Sequence, residues 1–357
     1  MPSVASGWSG GRQAPGRTGS ACPLRRARRA TTRTCRAATC RGTTTVPGPG
    51  SHSLLRPSLL RHSGGAVASS TSSRTCPWRR PARRPESIGS VKIGLIGDLE
   101  GEVDAAVDCL RLLGERGDVD VACQLGDLRL GYGPDPEGYL DTIESLCADY
   151  GIELQCITGN HENWDLLDAL WAEARWQDAD GTLRPIAVRD HISMLPRGFR
   201  WELGGRSFIA LGSAPSVNRG LLTEGVDWWP TEVLREEHVQ ATIAGGHAEV
   251  MLTHDSPDRP YCTAPVADIM AGNPMGWPDD VLAYAADGID KVTRAVLGVR
   301  PRLLAHGHFH VAGEADVRLP SADHDTTIWS LAARRDPGNV RVLDLDTLTD
   351  AAENATA

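Results

Sequence analysis

Val91-Lys92-Ile93-Gly94-Leu95-Ile96-Gly97-Asp98 is a short apolar run that stops at Gly-Asp, the pattern of a buried strand feeding a loop. The pattern recurs twice downstream. Val119–Leu125 runs into Gly126-Asp127, and Glu153–Ile157 runs into Gly159-Asn160-His161-Glu162. Between the first two runs, Val103, Ala106, Val107, Leu110 and Leu113 stand at helical spacing within 102–116, and a second helix is expected over about 137–150. The order is therefore β-α-β-α-β, which predicts an α/β fold with a parallel sheet. Further strands are expected at Phe199–Leu203, Arg206–Leu211, Glu249–Thr253, Arg302–His306, Thr326–Leu331 and Val340–Leu345, with a helix near Val281–Leu297. Such a sheet gathers ligands outside the carboxyl ends of its strands, so the polar clusters after these runs are expected to converge at one edge.

The residues upstream have a different texture. Within 1–90 there are sixteen arginines, no lysine and one acid, Glu86, which gives +15; with a whole-chain charge of −9, the remainder carries −24. The first ninety residues are rich in Arg, Ser, Thr, Pro and Gly and have no periodic apolar face, so 1–90 is expected to be a disordered extension and 91–350 the folded domain. Arg-rich, acid-poor composition also describes an organelle transit peptide, and Arg25-Arg26-Ala27-Arg28-Arg29 could contact nucleic acid or an anionic surface. The simpler reading is a low-complexity extension or an upstream stretch read from a wrongly assigned start. A domain at −24 repels a polyanion, so nucleic-acid contact is not expected. No apolar stretch suits a secretory signal or a membrane span. Nine cysteines include no CxxC pair, and Cys109, Cys123, Cys147 and Cys156 lie in apolar runs as free thiols do in a reducing compartment, so a cytoplasmic location without membrane contact is expected.

The clusters at the strand ends hold Asp98, Asp127, Asn160-His161, His254 and Gly307-His308-Phe309-His310. Any one alone has an ordinary explanation, since Asp caps turns, Asn beside Gly turns the chain, and a lone His is commonly a satisfied structural residue. Together, and each after a strand, they offer the mixed oxygen and nitrogen donors that Mn, Fe or Zn require.

The blocks Gly97-Asp98-Leu99-Glu100, Gly126-Asp127-Leu128-Arg129, Gly159-Asn160-His161-Glu162, His254 and Gly307-His308-Phe309-His310 resemble the calcineurin-like metallophosphoesterases, whose pattern is GDxH, GDxx, GNH[DE], a separate His, and GHxH. The resemblance covers about residues 91–345 and implies a four-layer αββα sandwich holding two divalent ions. It implies Asp98 and His310 on the first ion, Asn160, His254 and His308 on the second, Asp127 bridging both, and His161 at the phosphate and leaving group. The segment Ser213–Arg219 with Trp228-Trp229-Pro230 also resembles a bacterial branch of the family.

One block departs from the pattern, because Glu100 stands where the family has a histidine. Either Glu100 supplies an oxygen to the first ion, which favours Mn or Mg over Zn or Fe, or it faces solvent and the first site is weak. Two cations would neutralise a phosphate ester and hold a bridging water as hydroxide for in-line attack, with His161 serving the leaving oxygen. Arg129 and Arg219 are candidate phosphate clamps. The expectation is a metal-dependent phosphoesterase with two divalent ions, Mn favoured and Mg, Fe or Zn as alternatives. Its substrate would be a phosphorylated small molecule, nucleotide or phosphoprotein, as a mono- or diester. The alternative is a degenerate relative that binds a phosphorylated ligand or partner without turnover.

Overall fold

Strand β1 (Lys92–Ile96) sends Ile93 and Leu95 to one face and Ile96 to the other, and this alternation sets the layering of the whole domain. The computed structural model describes residues 90–351, so the extension expected over 1–90 lies, apart from Ser90, outside the described residues. On the Ile96 face stand α1 (Val103–Arg116), α2 (Pro136–Tyr150) and α3 (Trp164–Trp171), packed through Leu110, Leu113, Leu140, Ile143 and Leu167. A Cβ at Gly94 would strike Leu113, so the absent side chain lets α1 lie close on the sheet.

Seven strands make the first sheet: β1, β2 (Val119–Gln124), β3 (Glu153–Cys156), β4 (Ile186–Ala187), β5 (Ile192–Met194), β12 (Val340–Asp344) and β13 (Thr349–Asp350), in the order β13-β12-β1-β2-β3-β5-β4. β1, β2, β3 and β5 are parallel. The second sheet holds β6 (Phe199–Leu203), β7 (Arg206–Leu211), β8 (Val250–Thr253), β9 (Leu303–His306), β10 (Gly313–Arg318) and β11 (Asp325–Ser330), in the order β10-β11-β9-β8-β7-β6. Its inner strands β7, β8, β9 and β11 are parallel, and the edges β6 and β10 are antiparallel.

The sheets face each other across a core that joins Ile93, Leu95 and Leu125 to Phe208, Leu252, Ala305 and Trp329. The other face of the second sheet, through Ile209, Met251, Leu304 and Ile328, packs on Val239 of α4 (Glu236–Ala244) and on Val292, Val296 and Val299 of α6 (Asp279–Val299). The result is the expected four-layer αββα sandwich. Each fully buried Leu or Ile at the sheet interface contributes about 1.5–3 kcal/mol relative to exposure. Truncation of Leu95, with no exposure at all, should cost about 2–5 kcal/mol.

All the strands and helices expected from sequence are present, shifted by a residue or two at their ends. Not anticipated were α3, β4, β5, α4, α5 (Ala264–Gly272), β10 and β13. No helix among the described residues is long and apolar enough to cross a membrane.

Candidate functional site

Because β1, β2 and β3 run parallel, Asp98, Asp127 and Asn160, each just beyond its strand, emerge at one end of the first sheet. His254 follows β8, and His308 and His310 follow β9 in the second sheet. The site is thus a seam between the two sheets. The loops are tight there: Glu100, Asp127, Arg129, His308 and His310 have φ of 54°, 59°, 62°, 65° and 56°, in the left-handed region that ordinary residues seldom occupy. Glycine makes the close approach feasible. A Cβ at Gly307 would overlap Oδ1 of Asp98, and one at Gly159 would overlap the Asp127 carboxylate and its backbone nitrogen.

Asp98 is fully buried and accepts the His308 backbone N–H at 3.1 Å on both oxygens. His310 Nε2 stands 2.9 Å from Asp98 Oδ2 and 3.4 Å from Glu100 Oε1. Glu100, 5% exposed at its side chain, does not face solvent: its other oxygen lies 3.0 Å from Arg129 Nη2. Asp127 Oδ1 accepts the His161 backbone N–H at 2.7 Å and lies 3.3 Å from His254 Nε2. Asn160 Oδ1 is 3.0 Å from the same His254 nitrogen.

His254 Nδ1–H donates to the Leu125 carbonyl at 2.7 Å, which leaves Nε2 with a lone pair in the neutral ring. That nitrogen, the Asn160 oxygen and the Asp127 oxygen are then three acceptors turned toward one another, an arrangement that needs either a second proton on His254 or a cation among them. Candidate donor atoms fall within 4.8 Å of one another in three overlapping sets: Asp98, Glu100 and His310; Asp98, Asp127 and His254; Glu100, Asp127 and His161. The donor set fits divalent metal.

The field of the acids points the same way. Burial pushes the Asp98 carboxyl up, whereas at Asp127 the charges of His254 and His161 override burial and hold it far below the usual range. Burial alone would raise Glu100 too, but its hydrogen bond to His310 keeps it low. The His310 imidazole, which burial would lower, is lifted to about 10 by Asp98 and Glu100. Positive charge is therefore favoured at this seam.

Two supports were not singled out from sequence. Glu162, fully buried, accepts the backbone N–H groups of Leu128 at 2.9 Å and Leu130 at 2.7 Å and so holds the loop that carries Asp127; burial, with Asp127 nearby, pushes its carboxyl up to about 8. Ser216 accepts from Asn160 Nδ2 at 3.0 Å and donates to Glu232 Oε2 at 2.6 Å, while Tyr284 donates to Glu232 Oε1 at 2.9 Å. Both signals lay in segments already noted, the GNHE block and the Ser213–Arg219 segment. Arg219 itself stacks on the Tyr284 ring at 3.6 Å. A cleft of about 820 Å³ opens beside the acids and imidazoles, with His161, Arg129, Val217 and Asn218 in its walls. Trp164, Trp171 and Trp229 are buried in packing, and Trp277 lines the cleft.

A profile of the calcineurin-like phosphoesterase family matches residues 91–312. No curated protein matches the chain. Among solved structures, a dimetal phosphatase from Danio rerio is 15% identical at a TM-score of 0.42, covering 71% of this chain and 92% of its own. A hypothetical protein from Thermus thermophilus is 17% identical at 0.32, covering 68% and 75%, and a predicted phosphoesterase from Streptococcus pneumoniae is 12% identical at 0.27, covering 73% and 92%. With the family's ordered blocks carried at the ends of strands in both sheets, the chain belongs to the calcineurin-like phosphoesterase family and is a metal-dependent hydrolase of phosphate esters with a dinuclear divalent centre.

Proposed function

We propose that the chain hydrolyses a phosphate mono- or diester of a small molecule, nucleotide or phosphoprotein at two divalent ions, manganese in preference to Mg, Fe or Zn. Asp98, Glu100 and His310 would hold one ion, Asn160, His254 and His308 the other, and Asp127 both. The observation that carries this reading is the approach of the Asn160 and Asp127 oxygens to His254 Nε2, at 3.0 and 3.3 Å, beside a second buried set around Asp98 and Glu100. Glu100 makes the first set richer in oxygen than a histidine would, and this supports manganese. When bound, the ions supply neutralisation of the phosphate charge and acidification of a water molecule.

The chain's own residues complete the chemistry. His161 is fixed through its backbone N–H to Asp127 and lies in the cleft wall, where its imidazole delivers a proton to the leaving oxygen. Arg129, held by Glu100 at 3.0 Å, lies in the same wall and supports the phosphate charge, whereas Arg219, the other clamp expected from sequence, is stacked on Tyr284 and is not among the residues lining the cleft. The five cysteines among the described residues are buried and free, which supports a reducing, cytoplasmic setting.

The test is metal analysis of the purified chain together with hydrolysis of p-nitrophenyl phosphate and bis(p-nitrophenyl) phosphate under Mn, Mg, Zn and Fe. Two ions per chain and fastest turnover with Mn are expected, and the preferred ester assigns the mono- or diester class. No turnover of either ester under any of the four ions would refute the reading.

A further inference from the structure

The cleft is much larger than a phosphate group needs, and its remaining wall, which also carries Asp258, Arg259, Asp290 and Arg334, has a continuous apolar part. About 820 Å³ lies within the usual range of pockets that enclose a whole small molecule. That apolar part consists of Phe309, between His308 and His310 in sequence, Ile269 of α5, Met275 and Trp277 of the connecting turn, and Leu282 and Ile289 of α6. Met275 is 73% exposed and Leu282 36%, and both belong to the small set of large apolar side chains left in solvent among the described residues. Exposed apolar groups gathered beside a reactive site mark a binding surface.

This wall is braced. Asn273 caps α5 in the left-handed region at φ 42°, and its side chain accepts the Trp277 N–H at 2.9 Å and donates to the Trp277 carbonyl at 2.9 Å. The turn that presents Met275 and Trp277 is therefore tied across itself, which lowers the ordering cost of binding. Phe309 meets the His308 ring edge to face at 5.5 Å, so apolar surface begins directly beside the imidazoles.

We propose that the wall formed by Phe309 and the α5–α6 segment is a leaving-group pocket, and that the substrate is a phosphate ester of an apolar alcohol or phenol rather than of a sugar or nucleoside. This rests on the phosphoesterase reading above. The polar end receives the phosphate, and the hydrocarbon of the ester displaces water from the apolar wall.

The test uses the full chain loaded with Mn. Binding of alkylphosphonates from methyl to octyl, which resist hydrolysis, is measured by calorimetry, and hydrolysis of the matching alkyl phosphates is measured beside glycerol phosphate and a nucleoside monophosphate. Affinity and kcat/KM should rise by up to about fourfold per added methylene until the wall is covered. The Met275→Ser, Leu282→Asn double variant, changed at exposed positions, should flatten that dependence. Affinity independent of chain length, or preference for the glycerol or nucleoside ester, overturns the inference while leaving phosphoester hydrolysis intact. If binding climbs with chain length and no ester is hydrolysed, the pocket stands and the hydrolytic reading falls.

Discussion

Ser216→Ala removes one oxygen that no metal would touch, yet it should weaken metal binding. Because the Ser216 hydroxyl proton is committed to Glu232 Oε2 at 2.6 Å, its oxygen acts as an acceptor for Asn160 Nδ2 at 3.0 Å. That bond turns the amide so that Oδ1 faces His254 Nε2. In the variant Asn160 loses the partner that fixes its orientation. A net hydrogen bond of about 0.5–1.5 kcal/mol corresponds to a weakening of the ion proposed at Asn160, His254 and His308 by roughly 2- to 13-fold. The Glu232 carboxylate loses the Ser216 hydroxyl with or without metal, so this loss lowers folding stability, by about 1–3 kcal/mol, without entering the metal equilibrium. Calorimetric titration with Mn, in wild-type and Asn160→Ala backgrounds, separates these effects. Ser216→Ala should reduce affinity in the first and have no further effect in the second, a coupling of the size of the bond itself. Equal effects in both backgrounds, or lost stability with unchanged affinity, would refute the relay.

Asp127→Asn should cost more metal and more activity than Asp98→Asn, because the carboxylate proposed between two ions neutralises both; metal stoichiometry of the two variants checks it. Glu100→Ala should lose the first ion and Glu100→His should shift preference toward Zn or Fe, whereas identical metal content in wild type and both variants would remove Glu100 from the centre. Glu162→Ala leaves the Leu128 and Leu130 N–H groups buried without an acceptor and should destabilise by roughly 2–6 kcal/mol, read from urea unfolding. His191 lies 2.6 Å from Glu144, and this hydrogen bond raises its imidazole above the ordinary value; the stabilisation is therefore full below the unfolded pKa near 6.5 and fades as pH rises through the higher folded value. In His191→Asn that segment of the stability curve should lose its slope.

The strands that carry the site could be read because each is a short, largely apolar run, and those before Asp98, Asp127 and Asn160 lead into Gly-Asp or Gly-Asn. The layering follows from the same alternation, as Ile93 and Leu95 show against Ile96. What escaped were elements whose order comes from tertiary packing. β10 reads Gly-Glu-Ala-Asp-Val-Arg with its charged residues exposed, and it becomes a strand only by pairing with β11 along its whole length. α5 reads Ala-Pro-Val-Ala-Asp-Ile-Met-Ala-Gly, too short to persist alone, and only its Val266 is buried. The apolar wall of the cleft was hidden for that reason, since Ile269 and Ile289 meet only through the turn between α5 and α6. Glu100 could be noticed as a departure, but its inward orientation is decided by the left-handed turn at residue 100 and by Arg129, which no spacing rule supplies.

Asp98, Asp127 and Asn160 follow strands of one sheet and His254, His308 and His310 follow strands of the other, and between those sheets broad apolar contact is joined by a few directional bonds, such as His254 to the Leu125 carbonyl and Arg341 to Glu314. An ion held from both sides, as proposed, would then be a rivet. It would add about 2.7 kcal/mol to the folded state when free metal stands at a hundred times its dissociation constant, and nothing once a chelator has taken it. The melting temperature should therefore rise with the logarithm of metal concentration. Amide exchange should quicken on chelation at the strand ends near the seam before it does at the far ends of the same strands. For a cell, starvation of the metal would silence the enzyme and loosen the joint between its two halves at the same time.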